Sequence, residues 1–134
     1  MRFVTDALEE NLPQALLFVE EQLDSYGCSK QTVNKIQIAV EEIFINVAQY
    51  AYGLDKGIVI IDMDYIKENS SVKITFTDSG RQYNPLLRKD PDVTLGANER
   101  KVGGLGIFMV KNSVDNVEYE YKNGHNCLTL TSEI

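Results

Sequence analysis

What the chain has little of narrows its chemistry first. Its two cysteines, Cys28 and Cys127, have no metal-ligand spacing and no second pair that would build a disulfide framework, so they read as reduced thiols. Basic residues are scarce: 13 lysines and arginines against 20 acids leave a formal net charge of -7. Without a basic surplus to neutralise phosphates, nucleic acid is not expected as the main partner. A locally basic phosphate pocket or a basic protein partner stays possible. The amino terminus has no apolar signal core and no run approaches the length of a membrane span, so a cytoplasmic protein with no membrane partner is expected. The single histidine, His125, follows Asn123-Gly124 and reads as a solvated turn residue rather than a phosphoacceptor. There is no internal repeat, low-complexity segment or interdomain linker. What is left is an ordinary globular composition, 43% hydrophobic and 25% charged, in 134 residues. One domain, 1–134, with one sizeable core is the expectation.

Periodicity then lays out the elements. Residues 1–7 read as a short edge strand with Phe3 inward. Asn11 is a plausible helix cap before Pro13, and Leu16, Leu17, Val19 and Leu23 keep helical spacing up to a left-handed stop at Gly27. Ser29 caps a second helix whose core stripe is Val33, Ile36, Val40, Ile43, Phe44, Val47 and Ala51. Ile38 and Ile45 form a second apolar line roughly opposite, so the helix is expected to be buried on two sides. Val59, Ile61, Met63 and Tyr65 alternate in a strand, and Glu68-Asn69-Ser70 turns it into a second strand over 71–78. Val117, Tyr119 and Tyr121 alternate in a third, Asn123-Gly124 makes a hairpin turn, and the last strand carries Leu128 and Leu130.

Three features do not serve the core. Glu42 and Asn46 stand at i and i+4, one above the other at a seam between the two apolar lines, where a cleft would reach them. Asp78 shares the period-two phase of Val72, Ile74 and Phe76, and an acid on a core face is costly unless something donates hydrogen bonds to it. From 79 to 102 periodicity is lost over a stretch long enough to be a lid, expected over 86–102, before Gly103-Gly104-Leu105-Gly106 opens a short helix. A glycine-rich turn feeding a helix amino terminus offers free amides and a favourable dipole end to an anion.

The ordered set is a helical Glu-x-x-x-Asn, an Asp-x-Gly at a strand end, a lid, and Gly-x-Gly before a helix. In that order and at those separations it resembles the ATP-binding domain shared by gyrase, heat-shock chaperones, histidine kinases and MutL. Within that superfamily it is most similar to the bacterial anti-sigma factor serine/threonine kinases. The resemblance runs from Asn11 to Thr131 and is carried by Glu42-Ile43-Phe44-Ile45-Asn46, by Asp78-Ser79-Gly80-Arg81-Gln82-Tyr83-Asn84-Pro85 and by 103–111. It implies an α+β fold, a histidine-kinase-like ATPase domain built as a two-layer α/β sandwich. The sheet would be mixed but mostly antiparallel, with helices on one face. It implies that Asn46 ligates the magnesium bridging the phosphates of ATP and that Glu42 is the general base. Asp78 would accept the adenine amino group, and Gly80 would let the backbone approach the base. Gly104 and Gly106 would let backbone amides meet the phosphates, and Thr129 would help hold the adenine through a water. The sequence departs from the family in three places. Tyr50 stands where many relatives have histidine, and Gln82 replaces a second glycine. Val102 precedes Gly103 where the kinases usually have arginine, with Arg100 and Lys101 slightly out of register.

By this resemblance the chain is an ATP- and magnesium-dependent serine/threonine protein kinase. It would phosphorylate an antagonist protein and sequester a regulatory partner such as a sigma factor; a homodimer is among the states the family adopts. The alternative is a non-catalytic binding module whose partner-binding shape is gated by nucleotide. A histidine-kinase catalytic half would call for a phosphoacceptor helix pair.

Overall fold

Side-chain alternation decides which face of the sheet is covered. The computed structural model describes residues 1–53, 55–87 and 104–134. Strands β1 (Arg2–Asp6), β2 (Ile58–Ile66), β3 (Ser71–Asp78), β4 (Asn116–Lys122) and β5 (His125–Glu133) form one five-stranded sheet in the order β1-β2-β3-β5-β4. The sheet expected to be mostly antiparallel is antiparallel in every ladder found among the described residues. Val59, Ile61, Met63, Val72, Ile74, Phe76, Leu128 and Leu130 are buried on one face. Burying each such side chain contributes about 1.5–3 kcal/mol before ordering entropy is subtracted. Tyr65, in phase with that set, lies beyond the core edge. It is 40% exposed, with its ring stacked on Tyr26 at 5.3 Å.

Three helices lie against the covered face: α1 (Leu12–Ser25), α2 (Lys30–Tyr50) and α3 (Gly104–Ser113). Helix α1 stops as expected at Gly27, whose φ of +81° suits glycine. The Gly27 amide donates to Asp24 O and that of Cys28 to Leu23 O, both at 3.1 Å, which is a Schellman closure. Asn11 precedes α1, but its side chain makes no cap; Nδ2 donates instead to Asp6 O at 3.1 Å and ties the helix to β1. Ser29 does cap α2, its Oγ accepting from the Thr32 amide at 3.2 Å. Asn123 and Gly124, at φ 54° and 79°, form the two-residue turn that pairs β4 with β5.

All seven residues of the expected α2 stripe are buried, from Val33 to Ala51. The second apolar line is not. Ile38 is 39% exposed, and Ile45 is only half-buried, lining the cleft between α2 and α3. Glu42 and Asn46 face a cleft for a different reason: α3 packs alongside α2. The expected lid lies outside the described residues beyond Leu87, as do Arg100, Lys101, Val102 and Gly103. Among the described residues no helix is long and apolar enough to cross a membrane.

Candidate functional site

Asp78 ends β3 on the covered face and is only 7% exposed. The donors that its burial demands are present. The Gly80 amide reaches Oδ1 at 2.9 Å, and Asn126 Nδ2 reaches the same oxygen at 2.8 Å. Oδ2 has no hydrogen bond among the described residues. Asp78 lines an open cleft whose other walls include Val47, Phe76, Pro85, Tyr119 and Leu128. A mostly apolar slot with one carboxylate oxygen left over suits a flat, weakly polar group that presents a hydrogen-bond donor. The rings of Tyr50 and Tyr83, both on this cleft, lie 6.0 Å apart.

The turn after Asp78 is pressed onto the end of α2. A Cβ on Gly80 would lie 2.1 Å from the Ala51 carbonyl oxygen. That same oxygen accepts from the Arg81 amide at 2.8 Å, and Arg81 Nε donates to Tyr50 O at 3.0 Å. Carbonyls that a helix end leaves unpaired are thereby satisfied. At Gly80 the missing side chain makes room for Ala51, which itself lines the Asp78 cleft. His125 opens β5, with Nδ1 2.9 Å from Ser79 Oγ on the exposed side of this turn.

The second half of the site lies between α2 and α3. Glu42, Ile45, Asn46, Gln49, Tyr50, Gly106 and Ile107 line an open cleft. Gly106 is pressed against the carboxylate: a Cβ there would lie 2.6 Å from Glu42 Oε2. Burial, and secondarily the charge of Glu41, raises the Glu42 carboxyl above its ordinary 4.5. Asn46 and Tyr50 line both clefts, so the Asp78 slot and the Glu42 slot are neighbours on either side of these two side chains. Gly104 opens α3 at the edge of the described residues. Glu42 and Gly106 thus line one cleft and Asp78 its neighbour, with Asn46 on both.

Thr129 does not join them. Leu128 and Leu130 point into the core, so Thr129 points to the opposite face of the sheet, where its Oγ1 lies 3.3 Å from that of Thr75. Asn126 stands where a partner of Asp78 is needed, directly across the β3–β5 ladder. Sequence reasoning missed it although it shares the inward phase of Leu128 and Leu130, the same signal that exposed Asp78.

A model of the histidine kinase-like ATPase domain matches residues 5–132. The chain belongs to the histidine kinase-like ATPase domain family. This ATPase domain is 26% identical over 103 residues to the serine-protein kinase RsbW of Listeria monocytogenes, covering 73% of the chain and 64% of that relative's length. With the RsbW of Staphylococcus aureus it shares 25% over 112 residues, covering 81% and 70%. The solved RsbU and RsbW domains of a Mycobacterium tuberculosis protein share its fold. Their TM-score is 0.65 at 16% identity, over 99% of this chain and 32% of that one. The histidine kinase domain of a blue-light activated histidine kinase from Erythrobacter litoralis matches at 0.55 and 15%, over 92% and 59%. Membership of this family implies nucleotide binding.

Proposed function

We propose that this ATPase domain binds magnesium-ATP and transfers the terminal phosphate to a serine or threonine of an antagonist protein, while sequestering a regulatory partner of the sigma-factor class. The observation that carries the reading is the adjacency of the two clefts: one holds a carboxylate with raised proton affinity, the other an open adenine-type acceptor, and both are lined by Asn46 and Tyr50. Asp78 Oδ2 would accept the exocyclic amino group. The Asn46 side-chain oxygen would hold the magnesium, a hard cation that suits oxygen ligands and keeps part of its water shell. Magnesium when bound neutralises phosphate charge, the main demand of phosphoryl transfer. Glu42 orients the acceptor hydroxyl and takes its proton, a task for which a carboxylate with raised proton affinity is better matched. The names of the RsbW relatives support the kinase reading.

Two neighbours on one helix face separate chemistry from binding. Glu42→Ala should leave magnesium-ATP affinity within a few-fold in calorimetry while transfer falls by about 10²–10⁴. Asn46→Ala should weaken both, because the metal is held in ground state and transition state alike. Wild-type protein that binds ATP and a partner yet phosphorylates no antagonist would defeat the kinase reading and leave a nucleotide-gated binder. The replacement of the usual arginine by Val102 is the sequence feature that favours this second reading.

A further inference from the structure

We infer that Asn126 is the positioning residue that makes Asp78 a single-oxygen acceptor, and through it the determinant of base selectivity; this rests on the nucleotide reading above. Asn126 is 6% exposed, and its side chain is saturated on both ends. The Tyr83 amide donates to Oδ1 at 3.1 Å, and Nδ2 donates to Arg81 O at 2.9 Å and to Asp78 Oδ1 at 2.8 Å. The orientation of this amide follows from its backbone partners. An N–H can only donate and a C=O can only accept, so Tyr83 must face the oxygen and Arg81 the nitrogen. The nitrogen end, already fixed, is the end that meets Asp78. Tyr119 Oη lies against Asn126 Oδ1 and must therefore donate to it.

The consequence for Asp78 is directional. Its Oδ1 takes two hydrogen bonds, from Gly80 and Asn126, which pins the carboxylate plane and leaves Oδ2 for the cleft. A pinned acceptor rewards a ligand with a donor in one place and penalises one with an acceptor there, since a buried polar group left unpaired is costly. Asn126 also holds the backbone of Arg81 and Tyr83, so one side chain places both the acceptor and a cleft wall. Removing it frees the carboxylate to turn about its side-chain bonds, and the preference relaxes.

The test compares ADP with inosine diphosphate, which carries a 6-oxo acceptor where adenine carries an amino donor, by calorimetry on the full chain. Wild type should prefer ADP. Asn126→Ala should lose about ten-fold of that preference, mostly through weaker ADP binding. A partly misfolded sample lowers the stoichiometry and not the ratio of the two dissociation constants, so a merely structural role would leave the ratio alone. Tyr119→Phe removes one donor from Asn126 at a half-exposed position and should shift the ratio in the same direction by a smaller factor; it decides the question if Asn126→Ala does not fold. An unchanged ratio in the folded variants, with wild type still preferring ADP, overturns the role of Asn126 and leaves the nucleotide site standing. A wild type that binds neither nucleotide overturns both.

Discussion

Adding one methyl group at Gly106 should separate stability from chemistry. The new Cβ would lie 2.6 Å from Glu42 Oε2 and 3.5 Å from its carboxyl carbon, and among the described residues no other atom outside the local chain lies within 4 Å. Ordinary contact begins at 3.4 Å, so the carboxylate must retreat by about 0.8 Å. The atom in the way is the far end of a flexible side chain, so the retreat is cheap. Alanine is also the better helix former by up to about 1 kcal/mol. For 134 residues, an unfolding entropy near 2.1 cal/mol/K per residue makes each kcal/mol worth about 3–4 °C in Tm. Gly106→Ala should therefore melt at the wild-type temperature or about 3 °C above it. For a general base, the role proposed for Glu42, a displacement of nearly an ångström is another matter, because misplacement on that scale costs about 10²-fold. Phosphate transfer at saturating magnesium-ATP should fall by about that factor, with unfolding followed by circular dichroism on the same sample. Full transfer with a lowered Tm would refute the reasoning, since it would mean that α3 yields and Glu42 stays.

Gly80→Ala should do the reverse, because its Cβ would meet backbone: Ala51 O at 2.1 Å and its carbon at 2.5 Å. Overpacking of about 1–3 kcal/mol plus the Arg81–Ala51 hydrogen bond, about 1 kcal/mol, should lower Tm by roughly 7–14 °C, and an unchanged melt would sink the packing account. Glu42 gives a pH dependence of definite sign. Its carboxyl is raised in the folded protein, so its contribution to stability is complete below the ordinary 4.5 and is lost as pH rises through the raised value. Glu42→Gln, which cannot ionise, should gain on wild type in urea unfolding as pH climbs from about 4 to 7; parallel curves would exclude the shift.

Much of this was legible because burial writes itself into period. Asp78 stood out in the sequence as an acid in the phase of Val72, Ile74 and Phe76, and it is buried. The α2 stripe and the closures at Gly27 and Asn123-Gly124 were read from the same local rules. Thr129 was misplaced by a resemblance overriding that arithmetic: between Leu128 and Leu130 it has to face away from the core. Asn126 was legible in principle and missed beside the hairpin turn. The cover that turns Glu42 into a cleft residue comes from α3, more than sixty positions on, and no local pattern states that packing. Nor could the sequence state that Gly80 makes room for Ala51, since that contact joins a strand end to a helix end through space.

Asp78 and Asn126 face each other across β3 and β5 although 48 residues separate them. Each strand takes its register from its own hairpin neighbour, β3 from β2 and β5 from β4. The chain between them is therefore a tether whose length does not set the floor of the site. The entropy of closing such a tether grows only logarithmically, so doubling it costs about 0.6 kcal/mol. Leu87, 83% exposed at the end of the turn Pro85–Leu87, is a natural point of entry for inserted sequence. The sequence between the two strands can thus change in length while the Asp78–Asn126 contact is inherited unchanged.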